Sequence, residues 1–159
     1  MSNWYNLIET QLVQTIRADS WLGTAGTNIA TVEARLRPGP RSYYDYELPA
    51  IAVKALGLRQ DDWSMGVYDR FYRFVIFILD RGGDLDIVVN TVQKMASVLE
   101  DLLEGQHDVN HDLEGLGTHA DLQGGPFVDI GAAAVDYNAD TEAGYTVLCT
   151  LQGEVNIVA

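Results

Sequence analysis

Apolar residues recur with helical spacing in two segments of the chain. The first segment, residues 3–22, carries its apolar stripe at Leu7, Ile8, Leu12 and Ile16. Glu9 falls outside this stripe. The second segment, residues 85–104, keeps the spacing along its whole length, and Asp84 is suited to cap its first turn. We therefore predict two helices and expect Gly105 to end the second one.

Short apolar runs predict strands before and after the second helix. The predicted strands lie near Val32 and over 50–56, 67–79, 127–137 and 145–158. The strongest signal is at 67–79, which is rich in aromatic and β-branched residues. We expect Gly57 to end the preceding strand, and residues 59–66 to form a polar loop. The last two strands are expected to pair as a hairpin.

This order of elements predicts an α+β fold with a mostly antiparallel sheet of about four to five strands. Two main helices are expected to pack on one face of that sheet. The length of 159 residues fits a single domain covering 1–159. Two segments without regular periodicity, about 37–49 and 105–125, are expected to project from it as loops.

Composition narrows the classes of function. Hydrophobic residues make up 47% of the chain and charged residues 21%, which is enough apolar material for a folded core. Ten Lys and Arg against 23 Asp and Glu give a formal charge of −13, which opposes binding to nucleic-acid phosphates or anionic membranes. The charge serves solubility, or it lines a passage along which DNA slides without sticking. We expect no membrane partner and no signal peptide at the N-terminus.

The loop at 37–49 concentrates basic and tyrosine side chains. Those that we expect at an interface are Arg37, Arg41, Tyr43, Tyr44 and Tyr46, joined by Trp63 in the polar loop of 59–66. Tyr, Trp and Arg are enriched at the energetic centres of protein interfaces, so one interpretation is a projecting contact arm. The alternative is that the tyrosines fold back as a cover over the sheet.

All three histidines fall in the segment 105–125, at His107, His111 and His119. In a helix, His107 and His111 would share a face, as pairs of metal ligands do. The spacing matches no specific zinc signature, and the glycines at 105, 115 and 117 disfavour a stable helix. The three histidines are therefore weak metal candidates, and we expect a solvated loop or a subunit contact through His107 and His111.

Residues typical of catalysis are sparse. The paired carboxylates Asp61–Asp62, Asp84–Asp86 and Asp108–Asp112 lack an accompanying nucleophile and base at a recognisable spacing. The turn at 82–84 lacks the Gly-Lys-Ser/Thr of a phosphate-binding loop. Cys149, the one cysteine, lies in an alternating apolar run and is expected to be a buried, inert thiol. We predict no enzyme, no catalytic residue and no cofactor.

Four features, taken in order, resemble one family of virus proteins. They are the helix starting at Trp4, the strand after Leu48-Pro49, the segment from Tyr72 to Asp80 that leads into the helix at 85–104, and the closing hairpin. In this order they resemble the tail-terminator and tail-completion proteins of long-tailed bacteriophages, including related minor tail and neck proteins. The resemblance covers residues 3–104 and 126–158.

The resemblance implies a structural role in a virion. Proteins of this family form rings, commonly hexameric, that cap the finished tail tube and join it to the head connector. We therefore expect a hexameric homo-oligomer in the tail or neck of the virion, assembled in the host cytoplasm. Its expected partners are the tail-tube and head-connector proteins, with DNA passing through unbound. A stopper, adaptor or other neck protein is the alternative, and a small-molecule-binding or metal-binding module is the alternative from a different class.

Overall fold

A computed structural model describes residues 3–22, 28–39, 42–64, 67–108, 124–140 and 144–158. The helices are α1 (Trp4–Ala18) and α2 (Leu85–Asp108), with a short 3-10 turn at Asp45–Glu47. The strands are β1 (Thr31–Glu33), β2 (Ala50–Ser64), β3 (Val67–Gly82), β4 (Gly124–Asp140) and β5 (Gly144–Val158).

The strands form one five-stranded sheet in the order β1-β2-β3-β5-β4. β1 runs parallel to β2, and every other pair is antiparallel. The predicted α+β class with a mostly antiparallel sheet is therefore confirmed. β5, the last strand along the chain, lies inside the sheet between β3 and β4.

Both helices pack on the same face of the sheet, because the strands alternate their apolar side chains toward them. In β3, the residues at 72, 74, 76 and 78 join one core cluster with residues of both helices. Among the described residues, the largest fully buried side chains belong to this layer: Ile8, Leu12, Ile16, Leu22, Ile51, Ile76, Ile78, Met95, Leu99, Leu103 and Leu151. We call the opposite face, which carries no helix within the described ranges, the open face.

The N-terminal helix differs from its prediction in its end and in one buried residue. α1 ends at Ala18 and not at residue 22, because Asp19 is extended and its carboxylate accepts from the amides of Trp21 and Leu22. Glu9, which lies outside the apolar stripe, is buried with 5% of its surface exposed. Its carboxylate accepts a hydrogen bond from the backbone amide of Ala55 and pairs with the ammonium group of Lys54. Burial of this charge is tolerated because both oxygens have partners.

The second strand does not end at Gly57 as predicted. β2 continues to Ser64 and pairs with β3 in a long hairpin, so most of the expected loop at 59–66 is strand. The polar residues there are held by cross-strand contacts: the Arg59 guanidinium lies 3.9 Å from the centre of the Phe71 ring, and Arg70 donates to Gln60. A register shift between Ala55 and Gly57 marks a β-bulge near the middle of β2.

The second helix begins as predicted and ends later. Asp84 caps it by accepting a hydrogen bond from the amide of Ile87. α2 then passes through Gly105 and reaches Asp108, because one glycine costs a helix only about 1 kcal/mol. α2 and β4 therefore occupy the two ends of the loop predicted at 105–125, and residues 109–123 lie outside the described residues.

Candidate functional site

Residues of segment 34–47 cover one end of the open face. Tyr43 is only 7% exposed and packs against Ala50 and Leu79, with Leu48 and Leu148 beside them. Its hydroxyl donates to the carboxylate of Glu33 at 3.0 Å. This tyrosine therefore folds back over the sheet, as the cover interpretation predicts.

Arg37 contacts four residues in and beside this segment. Its guanidinium pairs with the Glu33 carboxylate at 2.9 Å and with the Glu47 carboxylate at 2.7 Å. The same group lies 4.1 Å from the centre of the Tyr43 ring and also donates to the backbone carbonyl of Ser42. A guanidinium suits this position because its planar fork serves two carboxylates while its face stacks on a ring.

The charges around Arg37 shift the pKa values of their neighbours. Hydrogen bonds from Arg37 hold the pKa of Glu47 below its ordinary value, and the Glu47 and Glu33 carboxylates raise the pKa of Arg37. Burial, together with the bond to Glu33, raises the pKa of Tyr43 to about 12. All three groups therefore keep one protonation state at neutral pH, and their contacts join Glu33, Arg37, Tyr43 and Glu47 in one unit.

Tyr44 and Tyr46 point away from this unit. They are 68% and 79% exposed, and their rings stack on each other with centroids 5.6 Å apart. Two adjacent exposed aromatic rings are typical of contact surfaces. In the described part of segment 34–47, Tyr43 covers the sheet, and Tyr44 and Tyr46 face outward. The contact role of the exposed pair stays a prediction.

The other residues expected at an interface lie in other elements or outside the described residues. Trp63 lies in β2 near the end of the β2–β3 hairpin, and His107 lies in the last turn of α2; the side chains of both are outside the description. Arg41, His111 and His119 fall outside the described residues altogether. Their roles remain predictions.

The middle of the open face contains a concavity of about 510 Å³. Its lining is mixed, with apolar groups such as Val75 and Phe77 beside Arg73, Gln152 and Glu154. Glu154 is engaged by Arg59, whose guanidinium lies 3.6 Å from it. A smaller concavity of about 160 Å³ lies where Tyr43 and Arg37 meet the sheet.

An edge strand is a feature that the periodicity did not single out. Within the described ranges, β4 pairs with β5 on one side and has no strand on the other. Residues 131–138 are all exposed, and they include three consecutive alanines followed by Val135 and Tyr137. Residues 127–140 contain neither the Lys nor the Pro that often marks an edge strand, so the edge position could not be predicted from them.

Charge is divided unevenly between the two halves of the chain. Residues 1–82 carry nine Lys and Arg and nine Asp and Glu, so this half is formally neutral. Residues 83–159 carry one Lys and 14 acids, and therefore the whole formal charge of −13. The acidic half forms α2, β4 and β5, at the β4 end of the strand order. This difference in charge between the two halves was visible in the sequence and could have indicated two surfaces of different charge.

Metal-binding and membrane-spanning features were sought in the described part of the chain. There, no group of three or more His, Cys, Asp or Glu side chains is placed to hold a metal ion. None of the helices described is both long and apolar enough to cross a membrane. Cys149 is fully buried in the helix-facing layer, and burial raises the pKa of its thiol.

Comparison with known proteins yields a likeness of structure alone. No protein-family model matches the sequence, and no curated protein matches it either. Among solved structures, the chain is similar to a chain in the structure described as the virion of a native gene transfer agent particle, with 19% identity and a TM-score of 0.57. The match covers 99% of this chain and 100% of that one. The protein therefore has the same fold, over its whole length, as a chain of that virion.

Proposed function

We propose that this protein is a structural subunit of a phage-like virion, and more specifically a tail-terminator-like ring subunit. In that role it would end the tail tube and join it to the head connector. The observation that carries the proposal is the end-to-end likeness to a chain of a gene-transfer-agent virion, which covers 99% of this chain and 100% of that one. Two subunits with the same assembly role would match in this way.

The surfaces of the protein suit such a subunit. A ring closes when one surface of each copy binds a different surface of the next copy. The exposed edge of β4 and the exposed pair Tyr44–Tyr46 belong to different regions of the chain, so they offer two distinct candidate surfaces. The proposed role is structural and requires no catalytic residue.

The acidic half also suits a passage for DNA. With one Lys against 14 acids, residues 83–159 would repel a phosphate backbone. A ring that turned this half inward would let DNA slide without sticking, because affinity for DNA depends on phosphate neutralisation by cations.

The proposal is tested by assembly and by loss of the gene product. Light scattering and sedimentation should find an oligomer of defined size, hexameric by the resemblance, alone or on added tail tubes. Virions lacking the protein should carry tails of unregulated length that fail to join heads. A chain that remains monomeric at high concentration, does not bind tail tubes and is missing from purified virions would overturn the proposal.

A stopper, adaptor or other neck protein remains the alternative within the same class. Gold labelling of the protein in assembled particles distinguishes the two, because a terminator sits on the last ring of the tube and an adaptor remains on tailless heads. In purified tailless heads, a terminator should be absent.

A small-molecule-binding module is the alternative from a different class. The concavity of about 510 Å³ on the open face lies within the size range of ligand sites. Native mass spectrometry of protein purified from its host would show a bound small molecule if this alternative were correct. Stoichiometric metal lost on His107→Ala and His111→Ala would favour the metal-binding variant of this class.

A further inference from the structure

The exposed pair Tyr44–Tyr46 projects from a turn whose backbone is held in place. The two rings stack with an angle of 5° between their planes. The Glu47 carboxylate accepts a hydrogen bond from the Tyr44 amide, and Asp45, between the two tyrosines, pairs with Arg81 of β3 at 2.9 Å. Aromatic side chains on a fixed turn lose little conformational freedom on binding, and they are typical centres of protein interfaces.

The concavity of about 510 Å³ on the open face has a lining that suits tyrosine side chains. Where β4 borders it, the lining residues are Gly131 and Ala132, which are small and leave the face low. Val75 and Phe77 of β3 contribute apolar surface, and Gln152 of β5 contributes polar atoms. A tyrosine combines an apolar ring with a polar hydroxyl, so it matches a mixed lining of this kind.

A guanidinium also lies at this concavity. Arg73 is an exposed residue of the lining, and its side chain lies across Gly57, where a Cβ would be 2.8 Å from its Nε atom. Among the described residues, it forms no ion pair and lies over no aromatic ring. Three other arginines, Arg37, Arg59 and Arg70, each lie over a ring of their own chain. A tyrosine ring that entered the concavity would come within reach of Arg73 for a cation–π contact.

The tyrosine pair of a subunit does not reach the Arg73 end of its own concavity. Asp45 is held at Arg81, as described above. Arg81 and Arg73 belong to the same strand and lie about 26 Å apart along it, at about 3.3 Å per residue. The pair can therefore meet this end of the concavity only in another copy of the chain.

Charge favours a contact between unlike surfaces of two copies. Segment 34–47 belongs to the formally neutral half, whereas β4 and β5, which form one side of the concavity, belong to the half with the whole formal charge of −13. A tyrosine pair in the concavity therefore sets a neutral surface against an acidic one. Two open faces stacked with their concavities opposed would instead bring together the Asp129 and Glu154 carboxylates of both copies, which is unfavourable.

The area of the tyrosine pair fits the centre of a stable interface. Two tyrosine side chains bury roughly 300–500 Å² when they are enclosed. One partner of a stable interface contributes roughly 800 Å². The pair would therefore supply about half of the contact, with its surroundings in segment 34–47 and the β4 side of the concavity supplying the rest.

We infer that Tyr44 and Tyr46 of one subunit bind in the open-face concavity of the next copy, beside Arg73 of that copy. This inference rests on the proposed ring and names the two surfaces that close it. The two surfaces differ, so the contact is head to tail. It leaves one free tyrosine pair and one free concavity until the ring closes.

Two variants test the contact, one on each surface. The arm variant, Tyr44→Ser with Tyr46→Ser, removes both rings. The concavity variant, Ala132→Trp, fills the concavity from an exposed position of β4. Each variant alone should need about tenfold more protein for half-assembly in sedimentation, because each removes the centre of the interface. Arg73→Gln should weaken assembly by a smaller factor, since it removes only the cation.

The decisive measurement is native mass spectrometry of an equimolar mixture of the arm variant and the concavity variant. The mixture is made under conditions in which wild type assembles and each variant alone is monomeric. The concavity variant keeps its tyrosine pair and the arm variant keeps its concavity, so one working contact remains. The mixture should give a 1:1 dimer and no larger species. A mixture that forms no dimer, or that forms complete rings, would overturn the pairing of these surfaces.

Matched controls make similar changes away from the contact. Ala133→Trp alters the next residue of β4, which pairs with Leu151 of the helix-facing layer and so lies on the opposite face of the sheet. Tyr137→Ser removes another exposed tyrosine. Both should assemble as wild type. Thermal unfolding checks that every variant is folded, and Gln152→Trp, at another exposed position of the lining, replaces Ala132→Trp if the latter unfolds.

The outcomes separate this inference from the proposed function. A wild-type ring that persists in both the arm variant and the concavity variant overturns the contact and leaves the ring standing. Rings that persist while binding to tail tubes is lost assign the two surfaces to the tube protein, which also overturns the contact between copies. A wild-type chain that never assembles, alone or on tail tubes, overturns the proposed ring and the contact together.

Discussion

The carboxylate of Glu9 in α1 accepts a hydrogen bond from the backbone amide of Ala55 in β2, with 2.9 Å between the two atoms. Ala55 lies beyond the three residues of β2 that pair with β1, and next to the β-bulge. The carboxylate therefore supplies the acceptor that a neighbouring strand would otherwise provide. This hydrogen bond joins α1 to β2 through two residues that are 46 positions apart in the chain.

Replacing Glu9 should destabilise the protein. Glu9→Ala leaves the Ala55 amide without its acceptor and the Lys54 ammonium without its counter-charge, and we expect a loss of about 1–3 kcal/mol in the free energy of unfolding. Glu9→Gln keeps an oxygen for the amide and should lose less. Urea unfolding followed by circular dichroism measures both, with Gln14→Ala on the exposed side of α1 as the control. Equal losses of unfolding free energy for Glu9→Ala and Glu9→Gln would contradict the hydrogen bond from the Ala55 amide.

Replacing Arg37 should make segment 34–47 more accessible to proteases. Arg37→Ala removes the pairings with Glu33 and Glu47 and the contact with the Tyr43 ring, so chymotrypsin should cleave after Tyr43, Tyr44 or Tyr46 several-fold faster. The neighbouring Arg35→Ala is the matched control and should leave the cleavage rate unchanged. Mass spectrometry of the fragments locates the cleavage site. Cleavage at other sites, at the same rate in Arg37→Ala and Arg35→Ala, would contradict this role of Arg37.

The contribution of Glu47 to stability should depend on pH. Its pKa is lowered in the folded protein, below the ordinary value of 4.5, because Arg37 favours the charged form. The contribution is therefore fully present above about pH 4.5 and is lost as the pH falls through the folded pKa. The difference in Tm between wild type and Glu47→Gln should stay constant from pH 7 to 5 and shrink below 4.5. A difference in Tm that does not change with pH would contradict the pairing of Glu47 with Arg37.

Cys149 should be unreactive in the folded protein. Burial, with a smaller contribution from Glu100, raises the pKa of its thiol, so little thiolate forms at pH 8. Its modification by a disulfide reagent should be roughly 100-fold slower than in 8 M urea, since reaction requires opening of the core. Rapid labelling of the native protein, with circular dichroism unchanged, would contradict this prediction. It would show that the reagent reaches the layer between the helices and the sheet.

Two glycines in the β4–β5 hairpin should respond differently to alanine. A Cβ at Gly153 would lie 2.6 Å from the Phe74 ring and closer still to the Asp129 carbonyl, so Gly153→Ala should cost about 1–3 kcal/mol. Gly131 has only the Gln152 carbonyl nearby, at 3.8 Å, and Gly131→Ala should change stability by less than about 0.5 kcal/mol. Thermal unfolding of the pair measures the contrast, and similar Tm values would contradict the packing at Gly153.

The elements that the sequence predicts best are those whose signal is local. The start of α2 follows from Asp84 and a helical apolar stripe, and both are properties of neighbouring residues. The outer half of β2 was predicted as a loop because its residues are polar. It is a strand because Arg59 and Gln60 have partners in β3, and such pairing is invisible in one segment taken alone.

The candidate surfaces likewise depend on contacts that a local stretch of sequence does not reveal. Tyr43, Tyr44 and Tyr46 have the same chemistry and are close in sequence, and only their positions relative to Arg37 and the sheet separate the buried ring from the exposed pair. Burial of Glu9 likewise depends on an amide far away in the chain. The charge division between halves was readable from composition, but its meaning depends on the strand order, which places the two halves at different ends of the sheet.

The internal position of β5 has a consequence for the order of folding during synthesis. β4 leaves the ribosome first, yet its strand partner is β5, which is made afterwards and lies between β3 and β4. The first 82 residues can form their part of the sheet early, whereas β4 must wait for the later strand. A chain interrupted before β5 would leave β3 with an open edge and β4 without the strand that it pairs with. Open strand edges pair with other chains, so truncated copies should aggregate.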